Sequence, residues 1–172
     1  NLGQTLTSPA RAISPYDQNS ASDDPNFANQ KIVKVGLLLP LTGRNAELGR
    51  ALQDAAAVSL FDKYARLSLR QQTVRVELLP KDTGDTPEQA ARAAEQAITD
   101  GAEFIIGPLF ADATSSAAPV ARGKNISVLS LSNTRTQASP GTYMFGFSPA
   151  EQAERVVSYA ISNGRTRVAV LA

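Results

Sequence analysis

The chain has 172 residues, 42% of them hydrophobic, which is enough for one domain, or one domain plus part of another, with a real core. Its 17 basic and 16 acidic residues leave a formal net charge of +1 with no basic block, so a nucleic-acid surface is not indicated. It has no His and no Cys, which removes zinc sites, His bases, Cys nucleophiles and disulfides together, and it has no apolar run of the roughly 18 residues that a membrane span needs.

Residues 1–30 are rich in Asn, Ser, Asp, Gln and Pro, with scattered apolar residues and no period. They read as a disordered linker that would span on the order of 30 Å. The chain begins at Asn1 without an apolar leader, which suggests a processed or trimmed product. The next stretch, KIVKVGLLLPLTGRN over 31–45, organises the rest. Its apolar run barely alternates, as expected of a strand covered on both faces within a parallel sheet. Pro40 ends it, and 41–45 form a polar loop.

Leu48, Leu52, Ala55, Ala56 and Leu60 recur at helical spacing and predict a helix over 46–64, followed by a turn over 66–72. TVRVELL over 73–79 reads as a strand that Pro80 closes, with 81–85 a loop. Thr86, Pro87 and Gln89 carry three agreeing helix-start signals: a cap, a proline at the first helical position and a capping-box glutamine. That helix should run to about Thr99.

A third strand is expected over 103–106. A helix follows, capped by Asp112, with a kink or break at Pro119 and an end at Gly123. A fourth strand is expected over 126–129 and a fifth over 143–147. A helix comes next, with Ser148 as cap, Pro149 at its first position and Glu151 reaching back. A sixth strand is predicted over 167–171. The alternation of strand and helix argues for an α/β fold with a mostly parallel sheet and helices on both faces.

In such a sheet the loops after successive strands open on one edge, where ligands sit. The loops at 40–45, 80–85, 107–111 and 130–134 bring Thr42, Asn45, Thr83, Ser130, Ser132, Asn133 and Thr134 to that edge, with Asp82, Asp85 and Arg44 adding charge. Ser, Thr, Asn and Asp are also the ordinary currency of turns. Enzyme signatures are absent: there is no G-x-G-x-x-G after the first strand, no P-loop and no G-x-S-x-G. Asp82 and Asp85, three apart in a turn, are a weak basis for acid–base or Mg²⁺ chemistry.

The segments VGLLLPLTG (35–43), KDTGDTPEQAARAAEQAI (81–98), FIIGPLF (104–110) and VLSLSN (128–133) resemble the first lobe of a type I periplasmic-binding-protein fold, the leucine-binding-protein-like superfamily. With FGFSPAEQAERV (145–156), the pattern is most similar to penicillin-binding protein activators, relatives of amino-acid-binding components of ABC transporters. The resemblance implies a Rossmann-like three-layer lobe over 31–147, a crossing segment near 147–149 and the incomplete start of a second lobe over 148–172.

The ligand contacts expected at the sheet edge are Thr42, Asp82, Leu109, Ser130, Ser132 and Asn133, with no cofactor, no metal and no catalysis expected; the resemblance itself bears on the loop Ser130 to Thr134 and on the position after the third strand. The relatives' hydroxyl just after the third strand falls at Ala111, which has none. Leu131 and Asn133 also depart from the usual small residues of the fourth loop. These departures favour an activator-type regulator of cell-wall synthesis, with a cell-wall synthase as partner. The alternative is a transporter's substrate-binding protein, with a small polar ligand in the interlobe cleft and an ABC permease as partner. Either would be periplasmic, with at most a lipid anchor to the membrane; a minor alternative is an α/β enzyme.

Overall fold

The computed structural model describes residues 31–66, 74–165, 167 and 169. The expected linker over 1–30 lies outside the described residues, as does most of the expected turn over 66–72 and of the sixth strand over 167–171. The described chain runs β1 (Lys31–Leu39), α1 (Ala46–Arg66), β2 (Val74–Asp82), α2 (Pro87–Thr99), β3 (Phe104–Ile106), α3 (Ala111–Arg122), β4 (Ser127–Ser130), a 3₁₀ turn (Arg135–Gln137), β5 (Thr142–Met144) and α4 (Pro149–Ser162). The five strands form one sheet in the order β2-β1-β3-β4-β5, and every neighbouring pair is parallel. β1 is interior, between β2 and β3, while β3 holds the middle place.

The near-continuous apolar run of β1 is explained by burial on both faces. Leu37, Leu38 and Leu39 are all buried although successive residues point to opposite faces. On one face Leu38 joins Ile105 and Val128 under an alanine-rich layer from α2 and α3: Ala93, Ala94, Ala97, Ala117 and Ala121. Small side chains let these helices lie close to the sheet. A Cβ on Gly36 would already come within 2.9 Å of the Ala97 Cβ. Each fully buried Leu, Ile or Val in this layer contributes about 1.5–3 kcal/mol.

The chain steps from β1 to β2 on one side and back past β1 to β3 on the other. Right-handed crossovers therefore place α1 on the opposite face from α2 and α3. The buried side of α1 differs in part from the expected stripe: Leu52, Ala56 and Leu60 are half-buried, but Leu48 is 48% exposed and Ala55 is exposed, while Ala46 and Gly49 are buried. The cause is a close approach, because a Cβ on Gly49 would overlap the Pro40 carbonyl. That contact sets the roll of the helix. Tyr64 then secures its far end by accepting a hydrogen bond from the Val76 N–H at 2.5 Å.

Several local expectations change. β2 passes through Pro80, paired with Leu37, and ends at Asp82. It is an edge strand, where one row of backbone groups lacks ladder partners, so a residue without N–H is tolerated. Asp112 is not a cap: Phe110 holds that position, without a side-chain bond, and α3 continues unbroken through Pro119. Ser148 holds the cap position of α4 without a side-chain bond, and Glu151 pairs with Arg135 at 2.6 Å instead of reaching back. The α2 start forms as predicted, with both halves of the Thr86–Gln89 capping box present and Pro87 in the first turn.

Candidate functional site

The carboxyl edge of the sheet carries a cavity of about 440 Å³. The loops after the first four strands all reach it. Arg44 and Asn45 come from the first, Thr83 to Pro87 from the second, Leu109 to Ala113 from the third, and Ser132 to Thr134 from the fourth. The chain reverses direction across the sheet between β1 and β3, which is where open α/β sheets leave a crevice.

The six residues singled out from sequence divide evenly. Leu109, Ser132 and Asn133 line the cavity; Thr42, Asp82 and Ser130 do not. Asp82 is a structural clasp. One carboxylate oxygen accepts from the backbone N–H of Leu41 at 2.8 Å, Thr42 at 3.2 Å and Gly84 at 2.8 Å. The other accepts from the Thr42 hydroxyl at 2.6 Å. Partial burial alone would raise the Asp82 pKa, but the Thr42 hydroxyl and the Gly84, Leu41 and Thr42 amides outweigh it and hold the carboxyl below its usual range. The clasp ties the first loop to the second. Asp85 adds a second tie by accepting from the Arg44 N–H at 3.1 Å.

Ser130 lies under the site. It is buried, 2.7 Å from the Thr114 hydroxyl, and accepts from the Ser132 N–H at 3.1 Å. This pair fastens α3 to the loop after β4. Ser132 is 4% exposed and accepts from the Thr134 N–H at 3.1 Å. The segment toward α4 presses on the same loop, since a Cβ on Gly146 would come 2.5 Å from the Ser132 carbonyl oxygen.

Sequence reasoning gave no cavity role to Phe110, Thr86 and Pro87, and it cast Asp112 as a cap. Ala111, Asp112 and Ala113 form the first turn of α3 on the cavity wall. Because Phe110 supplies no side-chain cap, the first N–H groups of α3 are open there, with the positive end of the helix dipole behind them. The fault in the sequence reading was the position of the helix start, which no cap residue announces. Among the described residues no group of three or more His, Cys, Asp or Glu is placed to hold a metal ion. No helix among them is long and apolar enough to cross a membrane.

A doubly wound parallel sheet with helices on both faces and a loop-lined cavity at its carboxyl edge defines a class of α/β lobe in which small molecules are held at the switch point. Within that class, residues 32–172 match the periplasmic binding protein family, and the chain belongs to it. It is 30% identical over 140 residues to a penicillin-binding protein activator, LpoA, of Photobacterium profundum, a match covering 80% of this chain and 21% of the relative. It is 23% identical over 130 residues to an uncharacterised protein of Rickettsia prowazekii, covering 76% of this chain and 33% of the relative.

Among solved structures, the solute-binding protein of an ABC transporter from Rhodopseudomonas palustris, in complex with 3,4-dihydroxybenzoic acid, is 26% identical with a TM-score of 0.62, over 77% of this chain and 37% of that one. A leucine-binding protein, LivK, of Thermotoga maritima is 25% identical with a TM-score of 0.58, over 76% and 37%. The chain thus spans a third or less of the curated relatives it matches. These structural neighbours are substrate-binding components of the leucine-binding type, and the sheet has their fold.

Proposed function

We propose that this chain is the ligand-binding first lobe of a non-enzymatic protein of the bacterial envelope, and that a small polar solute occupies the cavity at its sheet edge. Residues 31–147 form that lobe, 148–172 cross toward a second one, and 1–30 tether it. One observation carries the reading: loops from four successive strands, two of them clasped by Asp82, converge on a single volume of about 440 Å³. That size falls in the ordinary range of small-molecule sites. The uncapped start of α3 offers N–H donors to a carboxylate or similar group. The ligand complex of the Rhodopseudomonas palustris protein supports solute capture, and an ABC permease is the corresponding partner.

The test uses the full-length protein and thermal shift against leucine, serine, glutamate, benzoate and 4-hydroxybenzoate. A true ligand at a hundredfold excess over its Kd stabilises the protein by about 2.7 kcal/mol. Ala111→Phe, which fills the half-exposed cavity wall, should abolish the shift. If no compound gives a shift, solute capture is refuted.

A second reading rests on the 30% identity to LpoA together with Ala111, which lacks the hydroxyl that amino-acid-binding relatives place there. On this reading the domain regulates a periplasmic cell-wall synthase, from a lipid-anchored position. It predicts direct binding to such a synthase that survives Ala111→Phe, with no amino-acid shift.

A further inference from the structure

The hydroxyls around the cavity are not equally engaged. Ser130 and Thr114 pair with each other, and Ser132 accepts from the Thr134 N–H. Thr83 lines the cavity and is only 2% exposed, yet no described residue hydrogen-bonds to its hydroxyl. Its backbone is held firmly: its N–H donates to the Leu39 carbonyl at 2.9 Å, and its neighbours Asp82 and Gly84 are joined in the clasp. A buried hydroxyl without a partner is costly, and valine would fill the same space without that cost. Thr83 is therefore a firmly held, nearly fully buried hydroxyl-bearing residue in the cavity lining.

We infer that Thr83 is a specificity-determining residue that hydrogen-bonds an uncharged hydroxyl on the inner end of the ligand; this rests on the reading of the cavity as a solute site. A hydroxyl suits Thr83 because each can both donate and accept. A charged group suits it poorly, because a buried neutral hydroxyl does not repay the desolvation of an ion. The loop that carries Thr83 also brings the Asp85 carboxylate to the lining, so it offers no favourable field for an anion there. An anionic end fits better at the open start of α3, leaving the hydroxylated end for Thr83.

The experiment uses full-length wild type, Thr83→Val and Thr83→Ser, with calorimetric titration of three probe pairs that differ by a hydroxyl: alanine and serine, valine and threonine, benzoate and 4-hydroxybenzoate. Wild type should prefer the hydroxylated member of at least one pair by roughly tenfold, Thr83→Ser should keep that preference, and Thr83→Val should lose it. Without ligand, Thr83→Val should melt at the same temperature as wild type or higher, since the Thr83 hydroxyl has no partner among the described residues to lose. Binding without a hydroxyl preference, a preference unchanged in Thr83→Val, or a lower ligand-free melting temperature for that variant overturns the role of Thr83 and leaves the cavity reading intact. If wild type binds no member of any pair, both fall.

Discussion

Replacing Asp82 should loosen the cavity's loops before it unfolds the sheet. Its carboxylate accepts four hydrogen bonds, from the Leu41, Thr42 and Gly84 amides and the Thr42 hydroxyl. A hydrogen bond to a charged group contributes about 1.5–3 kcal/mol when buried. The group is only partly buried and the four bonds share one anchor, so Asp82→Ala should cost about 3 kcal/mol in all, well below the sum. Asp82→Asn keeps the oxygen that faces three amides and loses the charge, so about 1 kcal/mol is expected.

The assay is native-state amide exchange of the full-length protein. In Asp82→Ala the Leu41, Thr42 and Gly84 amides should exchange roughly 100-fold faster, with the β3 amides little changed. The pH dependence has a definite sign. The folded pKa of Asp82 lies below its unfolded value, near the model-compound 3.8. The unfolded chain therefore binds the proton first on acidification. The stabilisation is complete above that value and is lost as pH falls through the folded one. The advantage of wild type over Asp82→Asn should be constant at neutral pH and shrink below about pH 4. Unchanged exchange in Asp82→Ala, or a pH-independent gap between wild type and Asp82→Asn, would refute the clasp.

Two further outcomes test the packing. Gly107 has a φ of +95°, and a Cβ there would overlap the Leu38 carbonyl oxygen. Gly107→Ala should therefore cost more than the roughly 1–2 kcal/mol of the backbone conformation alone, read from urea unfolding of the full-length protein. Ala97 is fully buried where α2 meets Gly36, so Ala97→Leu should destabilise by about 1–3 kcal/mol through overpacking. A neutral Ala97→Leu would show that α2 can lift off the sheet.

The sequence alone determined the elements whose signals are local. The two-sided apolar run of β1 announced an interior strand of a parallel sheet, because only burial on both faces makes such a run tolerable. Thr86, Pro87 and Gln89 announced the start of α2, because a capping box is closed within one turn. Tertiary structure decided what depends on distant partners. Pro80 lies within β2 because that strand is at the sheet edge, which no local pattern states. Gly49 sets the roll of α1 through the Pro40 carbonyl, so Leu48 and Ala55 of the expected stripe turn outward while Leu52, Ala56 and Leu60 stay half-buried. Asp82 and Thr42 were legible as residues of the right loops, but their facing across 40 positions makes them a clasp and not a cavity wall. Ser130 was likewise turned under the site by Thr114. Thr83 was one loop hydroxyl among several until the fold buried it without a partner among the described residues, for a hydrogen-bonding need is visible only once the neighbours have been placed.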